Sequence, residues 1–373
     1  MLVFMNRKDF DDNYFMREAI RLAKKGIGKT SPNPMVGAII VKGGKVIGRG
    51  YHKKYGDYHA EINAIKNADG NVRGSTLYIT LEPCCHHGKT PPCVETLIKK
   101  KIKRVVIGVS DPNPIINGKG MGILKSNGVY VDVGVLESEC RQLNEHYFKF
   151  MRTGVPYVTV KYAQTLDGRI ATKTGNSQWI SSEALRKYAH HLRSVNDCVI
   201  VGVKTVTIDD PQLTVRLVKG RNPWRVIVDS KLRIPVKSHV LSSNFSQRTI
   251  VATTSKAPRE KATMIKNLGA EVLKVKENKK DGVDLKNLLK TLGKREIVSV
   301  MVEGGSGIIT SLLRSNHVDK MIISIAPRIM GKGLEAIGDL GISRIAETIK
   351  FSSFRMIRKG DDFVFEGVIL KHS

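Results

Sequence analysis

The sequence predicts two α/β domains, and three observations carry that reading. Apolar runs of strand character alternate with amphipathic stretches of helical period along nearly the whole chain, which implies largely parallel sheets with crossover helices. The alternation pauses once, at Arg152-Thr153-Gly154 with Pro156, a break between an amphipathic stretch and a new apolar run. The 373 residues, 41% of them hydrophobic, suffice for two cores of ordinary domain size. The expected domains are residues 1–150 and 151–373.

In the first, residues 9–25 read as a helix with Phe15, Ala19, Ile20, Leu22 and Ala23 as apolar positions. The turn Ser31-Pro32-Asn33-Pro34 leads into the run 36–41, which Gly43-Gly44 folds back on residues 45–50 as a hairpin. Helices follow at 59–68 and 94–100, strands at 75–81 and 104–109, a Pro/Asn/Gly loop at 111–120, a short helix, a strand at 129–133 and an amphipathic helix at 137–150. In the second domain strands are expected at 157–162, 198–202, 224–229, 249–253, 271–275, 297–302 and 320–326. Helices are expected at 182–193, 259–268, 285–292 and 306–314. The last two runs, 351–357 and 362–370, are separated only by residues 358–361 and read as an antiparallel hairpin.

Lys and Arg number 62 against 34 Asp and Glu, a net charge of +28. The excess is +10 in residues 1–150 and +18 in residues 151–373, so it is no basic tail. Lys predominates and aromatic residues are only 6%, little surface for stacking bases, so the charge reads as a Lys-rich solvated surface that also attracts phosphorylated small ligands. No apolar run approaches the ~18 residues of a membrane helix. Five cysteines, three of them within ten positions, suit metal binding in a reducing compartment better than a disulfide framework, so a cytoplasmic protein is expected.

The strongest chemical signal is His59-Ala60-Glu61, followed by Pro83-Cys84 and Pro92-Cys93. One imidazole and two thiolates leave a fourth zinc position open, the arrangement of a catalytic site. Zinc there lowers the pKa of a water toward ~7, and Glu61 is then placed to accept its proton and return it to a leaving nitrogen. Residues i and i+2 diverge on a regular helix, so His59 and Glu61 share a site only at an irregular helix start. Cys84 follows a strand, and Cys93 heads a helix whose dipole favours a thiolate. Eight residues separate the two cysteines, whereas the short zinc-deaminase signature has two. A structural zinc knuckle or unrelated buried thiols are the alternative. Cys85, Cys140 and Cys198 read as small core residues, and His52, His86 and His87 either touch substrate or are polar loop residues.

Four segments together resemble the bifunctional riboflavin-biosynthesis deaminase–reductase family: Pro32-Asn33-Pro34 with Val36-Gly37; His59-Ala60-Glu61; Leu81-Glu82-Pro83-Cys84-Cys85-His86-His87-Gly88-Lys89-Thr90-Pro91-Pro92-Cys93; and Asp111-Pro112-Asn113-Pro114. In that family the longer Cys–Cys interval is the normal one. The resemblance covers essentially the whole chain. It implies a cytidine-deaminase-like three-layer domain followed by an α/β domain similar to dihydrofolate reductase, one Zn²⁺ per chain held by His59, Cys84 and Cys93, and NADPH.

The resemblance further implies a cofactor side of Ala163, Trp179, Thr205, Asp209, Ser230 and the turn Gly305, Ser306, Gly307, Ile308, Ile309, Thr310, Ser311. The substrate side is Ser177, Arg193, Leu213, Arg216 and Glu303, with Lys161 beside the reaction centre. Arg193 and Arg216 suit bidentate clamps on a phosphate. Glu303-Gly304-Gly305-Ser306-Gly307 ends a strand and opens a helix, where glycines let backbone amides approach a phosphate; a plain tight turn is the alternative. After the strand ending at Asp229, Ser230, Lys231 and Arg233 suit a 2′-phosphate, whereas Asp229 suits a ribose hydroxyl; the resemblance favours NADPH. The implied substrate is a small phosphorylated pyrimidine, deaminated and then reduced from ribosyl to ribityl, with no nucleic-acid or membrane partner and homo-oligomerisation left open. Two rivals remain: a polynucleotide deaminase exploiting the charge, and a non-enzymatic nucleic-acid binder with a structural zinc.

Overall fold

The computed structural model describes residues 7–86, 91–242, 244, 246–278 and 282–371. The chain divides after Gly154 into two compact units. Gly154 is the left-handed C-cap of helix Glu145–Thr153, where a residue without Cβ ends the helix at no steric cost.

In the first unit β1 (Gly37–Lys42), β2 (Lys45–Tyr51), β3 (Thr76–Leu81), β4 (Arg104–Val109) and β5 (Tyr130–Val133) form one sheet in the order β2-β1-β3-β4-β5. β1 is antiparallel to β2 and β3, and β3, β4 and β5 run parallel. Alternate side chains build a core on each face. Ile40, Leu77, Ile79, Val105 and Ile107 pack on helices Ala60–Lys66 and Cys93–Lys99, while Ile39, Tyr78 and Val106 pack on Phe15, Met16 and Ala19 of helix Arg7–Ala23. The result is three layers. A Cβ at Gly50 would stand 2.2 Å from the Ala64 nitrogen, so glycine there sets how closely helix Ala60–Lys66 lies on the sheet.

The pattern over residues 137–150 predicts one helix, but the structure has two, Glu137–Leu143 and Glu145–Thr153. Asn144 makes the break. Its Oδ1 accepts the Met35 N–H at 2.8 Å and its Nδ2 donates to the Met35 carbonyl at 2.8 Å, a pairing of backbone type from 109 residues away.

The second unit contains β6 (Tyr157–Thr165), β7 (Arg169–Thr172), β8 (Cys198–Gly202), β9 (Trp224–Val228), β10 (Thr249–Thr253), β11 (Glu271–Lys274), β12 (Ser299–Glu303), β13 (Lys320–Ala326), β14 (Gly333–Glu335), β15 (Phe351–Lys359) and β16 (Asp362–Ile369). Nine of them form a sheet ordered β11-β10-β9-β8-β12-β6-β13-β16-β15. It is parallel from β11 to β13, and the terminal hairpin adds antiparallel β16 and β15. Val160, Ile200 and Val302 pack on helices Leu285–Gly293 and Ser306–Arg314, and Val199, Ile227 and Met301 pack on Leu185 and Leu192 of helix Glu183–Val195. β7 and β14 pair separately, an element the sequence pattern does not show. Asp167 secures that region by accepting the Met330 and Gly331 N–H groups. The C-terminal ends of β6, β8 and β12 lie side by side, the place where open α/β sheets bind ligands.

Candidate active sites

His59 is the extended N-cap of helix Ala60–Lys66 (φ −69°, ψ 167°), and Glu61 lies in that helix's first turn. Extended backbone at residue 59 frees its ring from helical geometry, so two side chains only two apart reach one site. Cys84 follows β3, and Cys93 opens helix Cys93–Lys99. His59 Nδ1 stands 3.4 Å from each of Cys84 Sγ and Cys93 Sγ, and the three ligand atoms lie within 4.8 Å of one another. A tetrahedral zinc with ordinary Zn–S and Zn–N bonds sets ligand atoms about 3.5 Å apart along an S···N edge, so the donor set fits that ion.

Taken as protein groups alone, these side chains are strongly polarised. Hydrogen bonding from Cys93 lowers the Cys84 thiol to about 4, and the contact with Cys84 raises His59 to about 9. Glu61 is 3% exposed; burial raises its carboxyl above the ordinary range, and it hydrogen bonds with the Cys93 thiol.

His52 is 2% exposed and meets the His59 ring edge-on at 5.4 Å. Its Nδ1 faces the Tyr58 carbonyl at 3.2 Å, so Nδ1 donates, and Nε2 accepts from Asn33 Nδ2 at 3.3 Å. Burial lowers this ring's pKa and keeps it neutral. Cys85 and His86 are half-buried in the loop after Cys84; His87 lies outside the described residues.

Glu82, to which the motif reading gave no role, shapes the rim of this site. Its buried carboxylate accepts backbone N–H groups from Asp111 (3.2 Å), Gly118 (3.0 Å) and Met121 (3.3 Å). The loop so held seats Ile116 against Cys84 and Cys93.

In the second unit Lys161 on β6 and Glu303 at the end of β12 are register neighbours. Arg193 grips Glu303 through Nε at 2.6 Å and Nη2 at 2.8 Å, and its Nη1 donates to the Thr214 carbonyl at 3.2 Å. The expectation of Arg193 as a free phosphate clamp is therefore corrected: its fork is committed to a carboxylate. The Arg216 guanidinium, by contrast, has no acceptor among the described residues. Burial pushes the Lys161 ammonium down, opposed by Glu303. Burial also pushes Glu303 up, but Arg193 and Lys161 outweigh it and hold the carboxyl below its ordinary range. Asp209 ends helix Val203–Asp209, raised by burial and hydrogen bonded to Ser177. Leu213 is buried with φ +55°, and Trp179 is exposed with the Arg186 guanidinium 4.7 Å over its ring. Ala163 lies on β6, two residues beyond Lys161.

A cleft of about 520 Å³ is lined by Ser230, Arg233, Gly305, Gly307, Ile308 and Ser311, among others. Gly304 and Gly305 take φ of +73° and +83° where helix Ser306–Arg314 begins, with Thr205 Oγ1 3.6 Å from where a Gly305 Cβ would stand. Ile309 departs from its expected place at the cofactor: it is fully buried and backs the cleft from the core. Thr310 spends its hydroxyl on the Ser306 carbonyl. Asp229 also turns inward, 1% exposed, its Oδ2 accepting the Ile234 N–H at 2.7 Å.

Residues 10–109 match the cytidine and deoxycytidylate deaminase zinc-binding region, and residues 156–362 match the RibD C-terminal domain. The riboflavin biosynthesis protein RibD of Aquifex aeolicus is 48% identical over 358 residues, which cover 96% of this chain and 98% of that protein. The chain belongs to the RibD family. The RibD of Escherichia coli is 37% identical, with 93% of this chain and 96% of that protein covered. The solved RibD of Acinetobacter baumannii superposes with a TM-score of 0.88 at 36% identity, covering 97% of this chain and 100% of that one. The diaminohydroxyphosphoribosylaminopyrimidine deaminase/5-amino-6-(5-phosphoribosylamino)uracil reductase of Thermotoga maritima gives 0.86 at 39% identity, covering 98% and 100%.

As a RibD-family protein the chain is a bifunctional enzyme of riboflavin biosynthesis, with a cytidine-deaminase-like zinc-binding domain and a reductase domain. Among its described residues no helix is long and apolar enough to cross a membrane. In this RibD-family chain His59, Cys84, Cys93 and Glu61 converge on one place, and Lys161, Arg193 and Glu303 on another. Sequence reasoning missed His190, whose Nδ1 accepts the Arg216 N–H at 3.0 Å. The available signal was its place one helical turn before Arg193.

Proposed function

We propose that residues 1–150 remove the 2-amino group of 2,5-diamino-6-(5-phosphoribosylamino)pyrimidin-4(3H)-one by hydrolysis, using one zinc per chain. Residues 151–373 then reduce the ribosyl group of the product to ribityl with NADPH. The observation that carries this reading is the convergence of one imidazole, two thiols and a buried carboxyl at His59, Cys84, Cys93 and Glu61.

His59, Cys84 and Cys93 are the residues that would hold zinc, which when bound supplies the Lewis acidity that makes water a nucleophile near neutral pH. Glu61 takes a proton on a carboxylate oxygen and returns it to the departing amine nitrogen. Burial favours that oxygen's protonated form, so it holds the proton between the two transfers. His52, neutral and fixed by Tyr58 and Asn33, keeps the wall beside His59 rigid.

For the reduction NADPH supplies the hydride, and the protein's share is orientation and charge. Ala163, Trp179, Thr205, Asp209, Ser230 and the 305–311 turn form the cofactor side, with Ile309 as backing. Ser177, Leu213, Arg216 and Glu303 form the substrate side, Arg193 keeps Glu303 ionised, and Lys161 is a proton donor whose hold on its proton is weakened by burial. All five cysteines are free, which suits the reducing cytoplasm where we place the protein.

Incubation with the diaminopyrimidine phosphate tests the whole reading: ammonia is released without NADPH, and the ribitylamino product forms only with it. Cys93→Ser is expected to lose zinc, measured as metal content, and ammonia release together; full occupancy with full activity would show the ligand assignment wrong. NADPH is expected to give a higher kcat/KM than NADH. The inward-facing Asp229 is tied to its own turn, while Ser230 and Arg233 line the cleft. A preference for NADH would overturn that choice.

A further inference from the structure

We propose that His190 recognises the phosphate of the reductase substrate directly, presenting Nε2–H as a neutral hydrogen-bond donor beside Arg216. This rests on the reductase reading above.

The tautomer follows from the geometry. A backbone N–H can only donate, so the bond from Arg216 N to His190 Nδ1 at 3.0 Å makes Nδ1 the bare nitrogen and puts the proton on Nε2. That Nε2–H has no acceptor among the described residues, and although His190 as a whole is only 4% exposed, Nε2 is not among the fully buried unpartnered atoms, so it is the part of the ring left open to solvent. A donor that faces solvent from an otherwise buried, tethered ring is fixed in direction and free to give its proton to a ligand in place of water.

The surroundings say which ligand. The charged groups around the ring are Arg193 on its own helix, Arg216 on the loop between helix Val203–Asp209 and β9, Lys161 on β6 and Glu303 on β12. Glu303 is the one carboxylate of this set, and the Arg193 fork already occupies both of its oxygens. Arg216 is left as an unpaired cation whose own backbone is tethered to the same imidazole. The cluster therefore lacks an anion with several acceptor oxygens, and a phosphomonoester meets both needs at once. Burial, then the two arginines, lowers the His190 pKa to about 4, so across pH 5–8 the ring donates without adding a further cation to the crowd.

The two ring nitrogens can be tested apart in the full-length, zinc-loaded enzyme with NADPH. Asn at 190 places an acceptor near the Nδ1 position and nothing at Nε2, and Gln places an amide nitrogen near Nε2 but gives up the Nδ1 acceptor. A hydrogen bond to a charged group implies that His190→Asn raises KM for the phosphorylated intermediate, and Ki for ribose 5-phosphate, about 10–100-fold with little change in kcat. His190→Gln is expected to recover part of that loss, and KM for the dephosphorylated intermediate to be the same in the parent and His190→Asn. Parental KM and Ki in His190→Asn, or an equal rise for the dephosphorylated intermediate, would overturn the proposal.

Nitrogen-15 histidine spectra of the parent give a readout that needs neither turnover nor a folded variant. Ribose 5-phosphate is expected to move the His190 Nε2–H resonance downfield, and an unmoved resonance under saturating ligand sinks the assignment. Absence of reductase turnover in the parent would instead count against the reductase reading, with the spectra still deciding the role of His190.

Discussion

Glu61→Gln is expected to lower ammonia release by about 10²–10⁴-fold, the usual contribution of a positioned general acid–base group. The substitution keeps the size of the side chain and a hydrogen-bonding oxygen, so the contact with Cys93 is preserved in shape. What it removes is an atom that can take up a proton and release it. The metal ligands are untouched, so zinc content should stay at the parental level. Supplied with the deaminated intermediate, the variant should oxidise NADPH at close to the parental rate, because Lys161, Arg193 and Glu303 belong to the other compact unit. Stopped assays of ammonia and of NADPH on the same preparation make the comparison. Loss of both activities in a folded, zinc-replete variant would mean that the two chemistries share one site.

Glu303→Ala is expected to destabilise the second unit by about 3–5 kcal/mol, the range for removing one partner of a buried ion pair. Arg193 and Glu303 are each only 12% exposed, so the guanidinium left behind has little water to replace the carboxylate. Lys161 loses the carboxylate that opposes its burial at the same time, and reduction should fail while ammonia release persists. Replacing both partners, Arg193→Met with Glu303→Met, removes the unbalanced charge and should restore most of the stability without restoring reduction. Denaturant unfolding followed by two probes measures both variants. A Glu303→Ala protein as stable as the parent would show that the pair carries no such burden.

These expectations trace back unevenly to the sequence. His59, Glu61, Cys84 and Cys93 are legible because few residue types ligate zinc, and their neighbours bracket them with a strand end and helix starts. The parallel strands are legible as short apolar runs, since buried strands need no polar alternation. The helix break at Asn144 is not, because its cause is a partner 109 residues upstream. Glu82, Asp167 and His190 escape for the same reason: each acts on backbone N–H groups of a distant segment, and backbone leaves no mark in composition. The role of Arg193 is misread from sequence because a sequence shows an arginine but not the carboxylate already facing it.

The way Glu82 holds its loop separates the shape of the 111–121 segment from its spelling. Three of the attachments are to peptide nitrogens, which every residue but proline possesses, so those three holds ask nothing of the side chains along the segment. Some places resist: buried Asp111, which accepts from the Tyr147 hydroxyl and the Asn113 N–H; Asn113, which accepts the Ile115 N–H; Gly118 at φ +84°; Gly120, where a Cβ would stand 2.4 Å from the Pro83 carbonyl; and Ile116, which closes over the thiols. Exposed Ile115 and Asn117 carry no such duty. The segment thus offers a fixed frame with interchangeable letters at the mouth of the first site, where a change of substrate preference can be written in without rebuilding the wall behind it.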